Sequence, residues 1–542
     1  MRIPSQWKKL FITVPFLLAV FLLAAAPATR PGTMASKTPL FLPAVTYDSG
    51  GVENVSFVSS GSVAVADVNS DGVPDVIVGT FCAISDNSNA CNFGLVNGSV
   101  DVLLGNGGGT FKAAVTYDSG GLGALSIAVA DVNGDGKLDV VVANGASHQV
   151  GVLLGNGDGS FRPAVGYGAG GEVGSVAVAD VNGDGKPDLL VANVGGLLGV
   201  LLGNGDGTFK AVVTYGSGGG PNSITVADLN GDGKPDLVAA NICPTACNGS
   251  AGILLGNGDG TFMPAVTYGA GGVDPGSVAV ADVNGDGKPD LVLPNFDGTV
   301  GVLLGHGDGT FQSVVTYDSG GTVGRQAAVV DVNGDGKLDL VVADSCQSFN
   351  CTASGAVGVL LGNGDGTFQP AVAYDSGGSR PHSLVVADVD GNGAPDILVA
   401  NSCLPTDNQN CPGDGVVGVL LHAPVDTTPP VITISATPKV LWPPNDKMVP
   451  VTVSGTITDT GFGVNLTSAA YTVKDEYGEV QPTGAITLSS AGKYSFTVLL
   501  RASRRGSDLD GRRYTVTVRA KHNAGNSGSK TSAVTVPHDQ GD

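Results

Sequence analysis

Residues Asp180–Asp188 read DVNGDGKPD. Oxygen-bearing side chains stand at the first, third, fifth and ninth positions and glycines at the fourth and sixth; an apolar run flanks each side, SVAVA before and LLVAN after. The same nine-residue pattern starts at Asp67, Asp131, Asp180, Asp228, Asp282, Asp331 and Asp388, in steps of 64, 49, 48, 54, 49 and 57 residues. A period of about 50 residues marks a propeller or solenoid made from one repeated supersecondary unit.

Each loop lies in a longer unit, clearest from Ser175 to Tyr215: SVAVAD, the acidic loop, PDLLVAN, a short connector, LGVLLGN, a GDG turn and TFKAVVTY. Four short apolar runs separated by Gly, Asn and Asp predict four strands. The loop-bearing strand pair occurs seven times, and so does the GVLLG strand, from Val100–Gly105 to Val417–Leu421. The AVTY strand also occurs seven times, but its first copy, Ala44–Tyr47, precedes every loop, and none follows Leu421. The first segment is therefore expected to complete the last unit, a closure that leaves no unfinished sheet edge. The prediction is an all-β chain in which residues 41–422 form a seven-bladed β-propeller.

The loop has the chemistry of a calcium site. Ca²⁺ takes six to eight hard oxygen ligands, and side chains at alternate positions of a tight loop converge on one ion. The predicted ligands are Asp67, Asn69, Asp71 and Asp75; Asp131, Asn133, Asp135 and Asp139; Asp180, Asn182, Asp184 and Asp188; Asp228, Asn230, Asp232 and Asp236; Asp282, Asn284, Asp286 and Asp290; Asp331, Asn333, Asp335 and Asp339; and Asp388, Asp390, Asn392 and Asp396. A carbonyl at the seventh position and water complete each shell, giving about one Ca²⁺ per blade. Nitrogen and sulfur donors are absent from the motif, which disfavours zinc and copper, and Mg²⁺ prefers a smaller, more hydrated site. The ninth-position Asp and the strand flanks set the loop apart from an EF-hand, which needs a Glu at its twelfth position and flanking helices. The GNGDGTF turns with Asp158, Asp206, Asp259, Asp308 and Asp365 carry one carboxylate each and read as hairpin turns.

Charge agrees with this reading. The formal net charge is −22, and the seven loops hold 21 of the 49 acidic residues, so seven divalent ions would bring the net charge to −8. Such a surface disfavours nucleic acid and anionic membrane as partners.

The repeating units resemble FG-GAP repeats of the VCBS type, similar to those of the integrin α-subunit propeller. The resemblance covers about residues 41–422 and implies calcium in each loop and a role in extracellular binding or adhesion. The chain lacks the other extracellular domains and the membrane span of an integrin. In an up-and-down blade the acidic loops and GDG turns share one face, whereas the connectors between second and third strands share the opposite face with the links between blades. Variable connectors on a rigid scaffold favour ligand binding on that opposite face, where an extracellular protein or glycan is the expected partner.

At the N-terminus, Arg2, Lys8 and Lys9 precede an apolar run, Leu10–Ala26, and an A-x-A pattern at Ala24–Ala26 or Ala26–Ala28. Residues 1–28 read as a secretory signal peptide, with an uncleaved anchor as the alternative. The eight cysteines fall into local pairs, Cys82 with Cys91, Cys243 with Cys247, Cys346 with Cys351 and Cys403 with Cys411, each between second and third strands. Local disulfides in an oxidising compartment are expected, and thiolate metal binding lacks companion ligands at zinc spacing. The protein is thus expected to be secreted or held at the cell surface, and monomeric.

Catalytic strings fail an internal test. YDSGG at Tyr47, Tyr117, Tyr317 and Tyr374 looks like a serine nucleophile motif, but equivalent positions at Tyr167 and Tyr268 read YGAGG. A nucleophile does not alternate with Ala. The six histidines form no cluster in sequence, no catalytic residue is assigned, and the expectation is a protein that is not an enzyme. A lectin-like carbohydrate binder and a propeller accessory to polysaccharide degradation are the alternatives.

Beyond a linker, 423–430, the runs VITISA, MVPVTVSG, SAAYTVKD, KYSFTVLL and RYTVTVRA predict a β-sandwich over 431–538, immunoglobulin-like in type. Arg501, Arg504, Arg505, Arg512 and Arg513 form a basic patch there, read as a solvated hairpin or a site for acidic glycans.

Overall fold

A computed structural model describes residues 39–49, 60–81, 97–243, 248–345, 355–403, 415–423, 429–459, 464, 468–479, 481–489, 492–508, 510–521 and 527–538. The chain divides into two compact units, Pro39–Pro424 and a second one that contains Val425–Asp542.

In Pro39–Pro424 the strands form seven four-stranded antiparallel sheets. In the third, Val173–Ala179, Asp188–Asn193, Leu197–Leu201 and Val213–Gly216 lie side by side in chain order. Burial explains the residue types. The second strand, DLLVAN, is buried at every position, so it carries an unbroken apolar run rather than an alternating one. The outermost strand, VTYG, is exposed except at its tyrosine, which is half-buried. Packed sheet faces also explain the glycine that opens the GVLLG-type strand in six of the seven blades. A Cβ on Gly151 would meet the Ser119 carbonyl oxygen of the preceding sheet at 1.9 Å, so only glycine fits.

The seven sheets close a ring. A separate hydrophobic cluster fills each interface between neighbours, including the one where Val63, Val76 and Leu103 of the first sheet meet Leu398, Val417 and Val419 of the last. Closure occurs as the strand count predicts: Val45–Asp48 pairs antiparallel with Val416–Leu420, in register Val45 to Val419 and Asp48 to Val416. These sheets are the blades of a propeller.

A feature not legible in the strand count completes the closure. Around the ring, the tyrosine of each outer strand meets a phenylalanine of the next blade edge-on, as in Tyr117 with Phe161 and Tyr215 with Phe262, at 5.5 and 5.4 Å. The last blade lacks a GDGTF turn, and Phe41 from the N-terminal segment fills that place, 5.5 Å from Tyr374 at an interplanar angle of 89°. His422 stands where the other blades have the first glycine of that turn, bridges to Phe41, and donates its backbone N–H to Asp396.

The second unit is a β-sandwich of two antiparallel sheets. One holds Val431–Ile432, Ser435–Thr437, Met448–Thr458 and Lys493–Arg501; the other holds Ala470–Asp475, Thr483–Ala485, Arg512–Lys521 and Ser527–Val536. Both face one core that includes Val451, Val453, Val498, Tyr514, Val516 and Val534.

Candidate metal centres and the channel end

Each acidic loop follows the innermost strand of its blade. In the second loop Asp131 accepts the N–H groups of Gly134 and Asp135 with one oxygen and that of Gly136 with the other, at 2.7, 3.2 and 2.8 Å. Gly134 and Gly136 take φ of +73° and +80°, conformations open to glycine and strained for other residues. The first loop has Ser70 at the equivalent of Gly134, held at φ +60°. All seven loops keep the bond from the sixth-position N–H to the first Asp, at 2.7 to 2.8 Å.

The ninth-position aspartates hold a place the motif alone does not reveal. Asp75, Asp139, Asp188, Asp236, Asp290, Asp339 and Asp396 are all fully buried. One oxygen of Asp139 accepts the Val132 N–H within its loop at 3.0 Å, and the other accepts the Gly155 N–H at the start of the third turn at 2.8 Å. Every blade repeats this double bond, the last one through His422. Burial pushes the Asp139 carboxyl up from its ordinary value against the pull of these two bonds, and the charges of Asp135 and Asp131 push the same way. A carboxylate has about four acceptor sites, so two remain for an ion.

The donor set fits a hard divalent cation. In the seventh loop Asp388, Asp390 and Asp396 each bring one oxygen within 4.8 Å of the others. In the other loops an Asn stands at the third position, and its amide oxygen accepts the fifth-position N–H, as Asn133 does for Asp135 at 2.8 Å. Lysine at the seventh position reaches back to the fifth-position carboxylate, with Lys234 Nζ 3.5 Å from Asp232 and Lys288 Nζ 3.8 Å from Asp286. Both pairs are exposed and contribute little. The GDG aspartates spend their acceptors locally: Asp158 takes both the N–H and the hydroxyl of Ser160, which lowers its pKa. These turns lie on the loop face, where the Gly159 N–H of one blade bonds the Val68 carbonyl of the loop before it at 3.2 Å.

At its far end the second strand carries another buried polar side chain. Asn144, Asn193, Asn241, Asn295 and Asn401 each donate to a carbonyl of the preceding blade, as Asn144 does to Ser119 at 2.9 Å. The YDSGG serines sit here. Ser119 and Ser376 hydroxyls donate to Asn144 and Asn401, both at 2.7 Å, and Ala169 and Ala270 fill the same buried place in other blades. The sixth blade has Asp344 instead of Asn, and burial pushes its pKa up to about 7. In the first blade the polar group moves to the third strand. Thr80 ends the second strand, and Asp101, standing where other blades have glycine, takes the Thr80 and Ser99 hydroxyls at 2.8 and 3.0 Å, with its pKa raised to about 6 by burial.

The innermost strands enclose a cavity of about 520 Å³ on the propeller axis. Its lining includes Arg325, Gln326, His382 and the serine five positions before each of six loops. Sequence reading passed over this serine because one hydroxyl in an alternating strand carries no message; its recurrence at a fixed distance from the loop was the available signal.

Other expectations meet the structure unevenly. Residues 1–28, Cys82, Cys91, Cys247, Cys346, Cys351 and Cys411 lie outside the described residues. Cys243 is disulfide-bonded, and Cys403 ends the strand Asp396–Cys403. The arginines of the sandwich do not form one patch. Arg512 is buried and bonds Asp475 and Glu479, Arg501 pairs with Asp446 at 3.2 Å, and Arg505 lies over the Tyr477 ring. Adjacent strand residues such as Arg512 and Arg513 point to opposite faces, which a count of basic residues ignores. Among the described residues no helix is long and apolar enough to cross a membrane.

Six stretches, 92–142, 131–191, 180–239, 242–293, 282–342 and 345–399, match the FG-GAP-like repeat and together take in more than half of the chain. The chain belongs to the FG-GAP-like repeat family. These FG-GAP-like stretches contain six of the seven acidic loops and omit the first, the one with Ser70 and Val73. The family makes it a propeller of the binding or adhesion type. No curated protein matches the sequence. Similar solved structures include BBS1N in complex with ARL6DN, at 12% identity over 71% of this chain and 98% of that one, TM-score 0.44. Two others are described as a 6-phosphogluconolactonase of Bacteroides uniformis, 15% identical over 58% and 86% with TM-score 0.42, and the periplasmic gluconolactonase of Pseudomonas aeruginosa, 17% identical over 58% and 85% with TM-score 0.43. The expectation that the chain is not an enzyme is withdrawn: lactonases stand among its structural neighbours, so the FG-GAP-like chain is assigned neither to enzymes nor to non-enzymes.

Proposed function

We propose that the protein is a secreted, calcium-stabilised propeller of the adhesion type, with one Ca²⁺ in each acidic loop and its ligand on the face opposite those loops. What carries the reading is the sevenfold recurrence of one oxygen-only donor set in one backbone conformation. A buried carboxylate at the ninth position ties each ion to the turn between third and fourth strands, so metal and blade stand or fall together. Secretion rests on the signal-like segment 1–28 and on the cysteine pairs. The appended sandwich is read as immunoglobulin-like, a second extracellular module.

Metal analysis of the dialysed protein is expected to give close to seven Ca²⁺ per chain, and a calcium chelator to lower the melting temperature by ten degrees or more, about the scale of several ions lost from the folded state alone. An unchanged melting curve in chelator overturns the reading. A glycan and surface-protein array then identifies the ligand, and a ligand retained after residues Asp86–Ala90 are deleted places binding elsewhere.

A further inference from the structure

The cavity on the axis has a composition unlike the rest of the chain. Ser62, Ser126, Ser175, Ser223, Ser277 and Ser383 occupy one register in six blades, and Gln326 occupies it in the sixth blade. The ring lies five residues before the loops, so a strand rise of about 3.3 Å per residue puts it roughly 16 Å from them, toward the opposite face. That exceeds the screening length of about 8 Å at physiological salt.

The ring offers donors. The Ser126, Ser277 and Ser383 hydroxyl oxygens accept backbone N–H groups of Val176, Ala327 and Val63 in the next blade, at 3.4, 3.3 and 3.1 Å. Gln326 does the same for Leu384 at 3.1 Å through its amide oxygen. Acceptor capacity is thus drawn into the wall, and among the described residues no ring hydroxyl donates to a protein acceptor. A hydroxyl keeps its O–H for use, and these O–H groups are free to turn toward the axis.

Charge points the same way. In a chain with 49 acidic residues and a net charge of −22, no carboxylate lines this cavity among the described residues. Only three arginines occur between residues 39 and 424, and two, Arg325 and Arg380, begin the innermost strands of adjacent blades. Arg325 lines the cavity, lies 4.5 Å over the Phe296 ring and donates through Nε to Ser345 at 2.9 Å. Among the described residues no carboxylate pairs with it, so its terminal N–H groups lack the usual partner of a half-buried guanidinium. Burial, then the charges of Arg325 and Arg380, hold neighbouring His382 down to about 4, which makes it a neutral wall residue at physiological pH.

We propose that this end of the channel binds an oxyanion group carried on a small polyhydroxylated ligand, of the acidic-sugar class. Arg325 is the charge anchor, through the paired N–H geometry that suits carboxylate and sulfate. The ring hydroxyls and the Gln326 amide supply neutral donors around it. The volume lies in the range of small-molecule sites and exceeds what a bare anion fills. The proposal rests on the reading of the chain as a ligand-binding propeller and gives that reading a site.

The test is calorimetric titration of the full calcium-loaded chain with glucuronate, glucose and inorganic sulfate. Saturable glucuronate binding is expected, with glucose at least tenfold weaker because it lacks the charge, and sulfate at least tenfold weaker because it lacks the ring hydroxyls. Arg325→Ala should raise the glucuronate Kd at least tenfold. Because that change also removes the contact with Phe296, Ser223→Asp serves as a second variant. It sets a carboxylate on another blade of the ring, at a hydroxyl with no hydrogen bond among the described residues, and should abolish binding with calcium content unchanged. Glucose binding as tightly as glucuronate, sulfate binding as tightly as glucuronate, or glucuronate binding unaltered in both variants overturns the proposal. A chain that keeps its chelator-sensitive melting and captures an array ligand equally well in both variants overturns the site while leaving the binding propeller intact.

Discussion

The second strand of every blade begins on a buried polar group and has another at or near its far end, and the two places follow different rules. At the start stands Asp in all seven blades, from Asp75 to Asp396; at or near the far end stand five asparagines, Asp344 and Thr80. The difference lies in the partners. The starting residue faces two backbone N–H groups from opposite sides, so a paired-oxygen acceptor serves both. The terminal residue faces a carbonyl, which demands a donor, and in some blades a hydroxyl, which demands an acceptor. An amide meets both demands, and a carboxyl meets the first only while it keeps its proton.

The largest effect is expected from breaking the start. Asp236→Ala leaves the Leu229 and Gly256 N–H groups without their acceptor in a dry interior. Chemical denaturation should show a loss of about 3 kcal/mol, since hydrogen bonds to charged groups are worth about 1.5–3 kcal/mol each. A loss below about 1 kcal/mol would mean that the buried Asp does not tie the loop to the third turn.

Next comes the end. Asn241 donates to the Ser217 carbonyl at 2.9 Å, and Asn241→Asp converts that donor into the arrangement of Asp344. A buried carboxyl with a raised pKa favours the folded state while protonated. Its contribution is whole below the ordinary value of 3.8 and is lost as the pH rises to the raised one, about 7 at Asp344. The variant should therefore match the parent at pH 4 and fall short by about 2 kcal/mol at pH 8, the penalty range for an unsatisfied buried group. Equal loss at both pH values would show packing rather than protonation at work.

The smallest effect sharpens the same contrast from the other side. Asp344 bonds the Ser319 hydroxyl with one oxygen, and its other oxygen is buried without a partner among the described residues. Asp344→Asn should add about 1 kcal/mol at pH 8, nothing at pH 4, and flatten the curve between. A destabilised variant at pH 8 would show that the carboxylate has a partner of its own.

Much of this architecture was legible because repetition multiplies a weak signal. Seven outer strands of the VTY type and seven of the GVLLG type implied the closure that Val45 and Val419 make. Phe41 was not legible, because its role depends on a turn missing 380 residues away, where His422 replaces a glycine. Asp139 and its equivalents were read only as ligands, since nothing in nine residues says that the ninth is buried between loop and turn. Asp101 was passed over as one more acidic residue, yet it compensates for Thr80 across two strands. The ring of serines escaped notice because each blade offers one hydroxyl, and only closure brings them together.

The closure carries a consequence for synthesis. The Leu40 N–H bonds the Tyr374 hydroxyl, 334 residues further along. The first strand pairs with Val416–Leu420, so on the ribosome, at roughly 5–20 residues per second, it waits from about twenty seconds to over a minute with its edge unpaired. Until the final blade emerges the nascent chain is an open arc whose unpaired edges can pair with another copy. A ring built this way has every reason to complete its last sheet away from crowded neighbours.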